Sequence, residues 1–419
     1  MRSNRWTNFA VMSGRMGTAH GAALLVGAVL GPGMLVLPHL AADAAGPASV
    51  LAWAGMLALS VPVALTFAAL GARYPGGGGV AAVVGLAFGR HAAAVAGWWF
   101  FGAVPIGTVA GVLVGGAYVE ASLGVDATLA ACLILAAAFA ANTAGLRTSG
   151  RLQIGLVALL VALLATAVLT AAPHADAARF TPFAPYGAAG VAGAAGVLMF
   201  AFVGWEAASH LSGEFADRRR GPLRATVVTL VVIGLLYAGV SVTSVGVLGA
   251  DMPDVPLTAL LEIGVGPVAR PVTGVVAVLL TFGAVNTYLA GAGRLGAALA
   301  RDRALPGWFA KGGAPGETPY RSLGLLAVLS VPVLVGGDDL DLLMRATSAC
   351  LAAVTTAGVA AATRMLPAGR HRVTAVVGTV MSLVGLAFCG CYLAVPAALA
   401  VVALLVLKAN ARRSYKIGL

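Results

Sequence analysis

The sequence predicts an all-α polytopic membrane protein of twelve transmembrane helices. If the first ten make two five-helix halves, five being odd, the second half is inserted upside down, and two more helices follow at the C-terminal end. Three observations give the twelve spans. Of 419 residues, 60% are hydrophobic and 10% charged, against about 25% charged in an ordinary soluble domain. Apolar stretches long enough to cross a bilayer recur from Gly17 to Leu407. The basic residues alternate from one inter-span segment to the next, as the positive-inside rule requires.

A hydrocarbon layer about 30 Å thick takes roughly 20 helical residues per crossing. Twelve stretches qualify, at roughly 17–40, 48–70, 92–118, 127–144, 152–171, 188–209, 225–249, 271–292, 322–336, 342–363, 373–388 and 390–407. The ninth and the last two are the shortest. With the N-terminus cytoplasmic, 23 of the 26 Lys and Arg fall in inner segments. They include Arg2, Arg5 and Arg15 before the first span, and Arg218, Arg219, Arg220 and Arg224 before the seventh. Only Arg179, Arg270 and Arg345 fall outside, where Asp43, Glu120, Asp126, Asp176, Asp251, Asp254, Glu262, Asp338, Asp339 and Asp341 gather. An odd number of spans breaks this alternation. Both termini are therefore expected in the cytoplasm and the chain in the cell's inner membrane.

The net charge of +11 thus reads as a topology signal with lipid headgroups as partners, not as a nucleic-acid surface. The chain divides into a cytoplasmic segment (1–16), the two halves (17–171 and 172–363), helices 11 and 12 (364–408) and a basic cytoplasmic tail (409–419). The basic, then apolar, beginning lacks a persuasive cleavage site and reads as a retained first helix.

Enzyme chemistry finds no footing. Cys132, Cys350, Cys389 and Cys391 all fall in apolar spans without metal-ligand spacing. His20, His39 and His210 form no ligand set, and neither HExxH nor a Ser–His–Asp arrangement is present. No metal and no cofactor is expected. Gly291-Ala292-Gly293-Arg294-Leu295-Gly296 matches the dinucleotide spacing but follows a membrane helix, where the required strand is missing. Pro75–Gly79 reads as a tight cytoplasmic turn, since a phosphate cradle would need a following lysine and hydroxyl. Trp98 and Trp99 read as interfacial belt residues. Arg218-Arg219-Arg220 is an ordinary topology anchor, or a latch on an inner gate through Glu214 and Asp217.

Two spans carry interruptions. The first reads HGAALLVGAVLGPGMLVLPHL, with Gly31-Pro32-Gly33 near mid-membrane. Proline removes a donor and clashes with the preceding turn, and glycine tolerates dihedrals that other residues resist. The sixth reads GVLMFAFVGWEAAS, with Gly204 beside a buried acid, Glu206. Irregular backbone at that depth is tolerated only where it lines a cavity or is covered by protein. Interruptions at matched positions of two halves point to a transporter's binding site. Half-helix N-termini expose amides suited to a carboxylate, and unpaired carbonyls suit an ammonium. A zwitterion matches both, which favours an amino acid.

LGPGMLVLP (30–38), ARYPGGGGVAAVVGLAFG (72–89), GWWFFGAVPIG (97–107), FAFVGWEAASHLSGEF (200–215) and NTYLAGAGRLG (286–296) resemble the amino acid–polyamine–organocation (APC) superfamily of transporters. The resemblance is greatest to its bacterial methionine and branched-chain amino acid exporters. It runs from about Gly17 to Ala362, and more loosely beyond. It implies the LeuT-like 5+5 inverted repeat with discontinuous helices 1 and 6. It also implies a substrate carboxylate held by backbone at Gly31 and Gly33, and an ammonium received by the carbonyls of Val29, Phe200 and Val203. Phe200 would close over the substrate, and Asn286 and Thr108 would line the pocket. Relatives usually carry Ser or Thr where this chain has Pro32, which removes a hydroxyl and an N–H and shifts weight to Gly33.

Lys, Arg and Asp are absent from the central parts of spans one, three, six and eight. A buried methylene gains about 0.8 kcal/mol, so methionine, leucine, isoleucine and valine fit best, with Phe100, Phe101 and Phe282 as wall or ordinary core. Glu206 has three open roles: proton carrier, structural partner of the broken backbone near Gly204 or Gly31, or direct substrate contact. The fifth span lacks the embedded lysine of some relatives. Thr281 and Thr287 do not make the adjacent hydroxyl pair of sodium-binding members, so protons are the expected coupling ion, with sodium disfavoured but kept open by backbone ligands. Export by proton antiport follows from the resemblance alone. Proton-coupled uptake or exchange, and a non-transporting sensor or accessory subunit, remain alternatives. Monomer and homodimer are equally open.

Overall fold

The computed structural model describes residues 16–417, apart from 75–78, 146–149, 203, 218, 314–316 and 337–338. The first predicted span is two helices, α1 (Thr18–Val29) and α2 (Leu37–Ala45), joined through a 3-10 segment over Pro32–Leu35. The chain continues through α3 (Ser49–Arg73), α4 (Gly79–Phe88), α5 (Arg90–Leu123), α6 (Ala127–Thr143) and α7 (Gly150–Ala171). The sixth predicted span is α8 (Gly187–Leu198), a 3-10 segment over Met199–Phe202, and the short α9 (Ala207–Leu211). Then follow α10 (Gly221–Leu248), α11 (Pro256–Val265) and α12 (Ala269–Arg301). The last four are α13 (Tyr320–Gly336), α14 (Leu340–Met365), α15 (Arg370–Ala387) and α16 (Ala394–Ile417).

Among the described residues, seven helical stretches are long and apolar enough to cross a membrane, and α1, α4, α6, α8, α11 and α13 are shorter apolar helices. No strand forms among them; a single bridge pairs Met16 with Phe215. This is a multi-pass, all-helical membrane protein. α5 and α12 pack along each other through the centre, α14 lies against α5, and α2 runs along α8.

Two helices depart from the sequence reading. The glycine-rich turn was expected to lead directly into span three, yet α4 intervenes; residues 75–78 of that turn lie outside the described residues. Val80, Val83 and Val84 form the buried stripe of α4, an i, i+3, i+4 pattern that holds a short helix against its neighbours. α11 has the same logic, with Pro256 in its first turn and Leu257, Leu260 and Leu261 buried. Trp98 and Trp99 tie α5 to the turn after α12 and to α16 instead of only marking the interface. Their indole N–H groups donate to Ala304 O and Pro396 O, each at 2.7 Å.

The inner-latch idea is also redirected. Arg218 lies outside the described residues, and Asp217 engages backbone: its Oδ1 accepts the N–H groups of Arg219 and Arg220, each at 3.0 Å, at the start of α10. The Arg220 amide foremost, then that of Arg219 and the charges of Arg224 and Arg220, hold the Asp217 carboxyl below its ordinary pKa. A folded pKa below the unfolded one gives stability that is present above the unfolded value and is lost as pH falls through the folded value. Asp217→Ala is therefore expected to melt below the wild type at about pH 7, with the gap narrower at about pH 3, below the ordinary carboxylate value. Thermal unfolding in detergent at both pH values checks this.

Candidate functional site

The two interruptions meet. After Val29 the chain leaves the α-helix: Leu30 has ψ 79° and Gly31 is extended (φ −86°, ψ 175°). The Gly31 N–H turns back to Val29 O at 3.0 Å. Pro32, which has no N–H, then starts the 3-10 turn; the Met34 N–H donates to Gly31 O at 3.2 Å, so the Gly33 N–H is the turn's first donor. In the sixth span α8 tightens to 3-10 geometry, and Gly204 adopts φ +114°. A Cβ on Gly204 would strike the carbonyl of Ala28 and come within 3.0 Å of Val29 Cα. Only glycine meets both demands, conformation and contact. Gly33 sits equally close to Phe200, where an added Cβ would lie 2.6 Å from the ring.

A tyrosine joins the two breaks. The hydroxyl of Tyr237, on α10, lies 3.2 Å from Val29 O and 3.3 Å from Ala201 O. It donates its one proton between the C-terminal carbonyls of both interrupted helices. Its ring is held edge-on by Trp53, centroids 5.2 Å apart. On the other side, Tyr118 of α5 donates to Leu35 O at 2.7 Å. Each lone pair and donor at these breaks would otherwise be an unpaired group in a low-dielectric interior, at a cost of about 1–3 kcal/mol.

Between the breaks lies a hollow lined by Val29, Gly31, Gly33 and Met34 from the first span and by Phe200 and Ala201 from the sixth. Tyr237 and Tyr288 close it. It encloses about 280 Å³ including its mouth, but a water's centre can move over only about 10 Å³. That is about the room one water needs, so the walls must part to admit anything larger.

Sequence reasoning placed four of these lining residues, Val29, Gly31, Gly33 and Phe200. It missed Met34, Ala201, Tyr237 and Tyr288. Val203 lies outside the described residues. Thr108 and Asn286 sit elsewhere. The Thr108 hydroxyl donates to Val104 O (2.8 Å) and Pro105 O (3.2 Å), within the proline-bearing turn of its own helix. Asn286 faces α6, where Asn142 Nδ2 donates to its Oδ1 at 2.7 Å and its main-chain carbonyl at 3.1 Å. The reason is helical phase. Tyr288 points into the hollow, and a residue two positions earlier points roughly 200° away. An aromatic two residues after the asparagine was the only signal in sequence.

Glu206 is buried, 9% exposed, and Oε2 accepts the Gly204 N–H at 3.0 Å. It lies within electrostatic range of Tyr288. The carboxyl therefore holds the second break, the geometry of the structural role. The lining of the hollow has no Lys, Arg, Asp or Glu among the described residues, and no group of three or more His, Cys, Asp or Glu could hold a metal ion among them.

The sequence profile described as amino acid permease matches residues 4–413. The chain belongs to the amino acid permease family. The permease is 33% identical over 356 residues to the uncharacterized amino acid permease YecA of Bacillus subtilis, covering 83% of this chain and 84% of that one. It is 31% identical over 386 residues to the L-methionine/branched-chain amino acid exporter YjeH of Escherichia coli, covering 90% and 91%. An uncharacterized transporter of Mycobacterium tuberculosis is 28% identical over 381 residues, covering 90% and 84%. The permease is thus a transporter and not an enzyme.

Two variants probe the junction. Gly204→Ala adds a left-handed strain of about 1–2 kcal/mol to a backbone collision, and is expected to lower the melting temperature sharply or abolish folded yield. Tyr237→Phe removes the shared donor and is expected to cost about 1–3 kcal/mol while leaving the protein folded. Melting curves of purified protein check both.

Proposed function

We propose that this permease is a secondary active transporter of neutral, hydrophobic L-amino acids (methionine, leucine, isoleucine and valine), exporting them by proton antiport through alternating access. It sits in the inner membrane with both termini cytoplasmic. Its twelve spans form a 5+5 inverted repeat plus two further helices.

One observation carries the reading: Tyr237 joins the exposed carbonyls of two interrupted spans across a small hollow. Val29 O already accepts from Gly31 N–H and from Tyr237, which fills the two lone pairs of a carbonyl. The Tyr237 hydroxyl occupies the place an ammonium would take. A substrate ammonium displaces it and is held by Val29 O and Ala201 O at the negative ends of α1 and α8. The carboxylate meets the Gly33 N–H at the start of the 3-10 turn, since the Gly31 N–H is turned to Val29 O and the Met34 N–H to Gly31 O. Asn286 and Thr108 shape the helices around the site in the present conformation.

The uncharged wall of Met34, Phe200 and Tyr288 suits an apolar tail and offers no counter-charge to a cationic or anionic one. Export of methionine and branched-chain amino acids is what the name of the Escherichia coli relative states. Glu206 is the proposed carrier, its carboxyl gaining and losing the exchanged proton during the cycle. Bonded to Gly204, it would transmit that change to the second break.

Counterflow in proteoliposomes, with all twenty amino acids at two pH values, tests this. Exchange confined to neutral apolar amino acids, with a pH dependence lost in Glu206→Gln, is expected. Preserved pH dependence in that variant removes Glu206 as the obligatory proton carrier. Efflux and uptake in intact cells with the proton gradient reversed distinguish antiport from symport.

A further inference from the structure

α8, the helical half before the second break, is built from small residues, GAAGVAGAAGVL. Gly190 and Gly196 let foreign backbone touch it: a Cβ would lie 2.8 Å from Ala44 O at the first and 2.6 Å from Phe388 O at the second. Gly193, between them, is met by a cation. Arg345 Nη1, on α14, donates to Gly193 O at 2.8 Å. The same guanidinium gives its Nε to Asp341 Oδ2 at 2.6 Å, one turn back on α14. It lies 6.0 Å from the Tyr392 ring centroid, and its side chain is 16% exposed. Three residues further along α14, Ser348 Oγ donates to Val197 O at 3.1 Å.

A cation placed among apolar helices needs a counter-charge, and Asp341 supplies it. That pairing alone could be made on the surface of α14. The second arm of the fork reaches another helix's main chain. A helix carbonyl has a second lone pair beyond its intrahelical bond, and a charged donor makes the stronger bond there. Gly193 O and Val197 O are one turn apart, so α14 grips α8 along its axis without using any α8 side chain. The gripped turn ends three residues before Phe200 and four before Ala201, which line the hollow.

We propose that Arg345 is a positioning residue for transport: anchored by Asp341, it clamps the α8 backbone at Gly193 and, with Ser348 at Val197, holds the α8 side of the hollow closed. This rests on the transport reading above. Lysine, a point charge without the planar fork, replaces the clamp only in part.

Hydrogen–deuterium exchange on purified full-length wild type, Arg345→Gln, Arg345→Lys and Ser348→Ala decides it, alongside leucine counterflow by the same preparations. Loss of a charge-assisted bond should speed exchange in residues 187–198 by roughly tenfold in Arg345→Gln, and less in Arg345→Lys and Ser348→Ala. Exchange in residues 94–119 of α5 should stay unchanged. Leucine turnover should fall in Arg345→Gln and recover in part in Arg345→Lys. Unchanged exchange over 187–198, or an equal rise in α5 and α8, overturns the clamp. If Arg345→Gln yields no folded protein, Ser348→Ala and Arg345→Lys give the same readings. A wild type that exchanges no amino acid defeats the transport reading, while exchange at 187–198 still reports on the clamp.

Discussion

The close approach of two broken helices, backbone against backbone at Gly204 and Ala28–Val29, is the constraint on which the rest depends. In hydrocarbon an interrupted helix leaves amides and carbonyls without partners. Here each break is the other's cover. Gly204 can lie on Val29 because it has no side chain and tolerates φ +114°. Tyr237 then shares one hydroxyl proton between a carbonyl from each. Around this contact the chain arranges groups that would be liabilities anywhere else in a membrane: a carboxyl at Glu206, a proline at position 32 and two tyrosine hydroxyls.

The same constraint explains why the hollow is small and yet suited to change. Its polar groups are main-chain atoms at helix ends, fixed in direction by the helices that end there. Its apolar wall comes from the side chains of Met34, Phe200 and Tyr288. The helices bearing the breaks are anchored away from the hollow by different means. The Met16 N–H and carbonyl pair with Glu214 and Ala216 before α1 and after α9. α14 holds α8 through Arg345 and Ser348. Closure at the centre is thus distributed over contacts that can be released separately.

Both breaks were legible in the sequence because their causes are local: Gly31-Pro32-Gly33 and Gly204 disturb a helix through their own covalent geometry. The spans were legible because hydropathy over about 20 residues depends on composition and not on tertiary contact. Tyr237 was not, since it sits in an unbroken apolar helix and gains meaning only when α10 is turned toward two particular carbonyls. Asn286 shows the converse. It was placed in the pocket by resemblance, whereas helical phase puts Tyr288 there and gives Asn286 to Asn142. The short helices α4 and α11 escaped notice because ten apolar residues fall below membrane-crossing length and carry only a brief stripe.

The central claim is that an amino acid's ammonium sits between the carbonyls of the two breaks. Solid-state NMR on the protein in lipid measures it directly, with ¹⁵N-leucine bound to protein carrying ¹³C carbonyl labels in Val and Ala. Dipolar coupling from the substrate nitrogen to both Val29 and Ala201, at roughly 3–4 Å as a hydrogen-bonded ammonium requires, is the expected result. Leucine that is demonstrably bound but couples to neither carbonyl would contradict the claim.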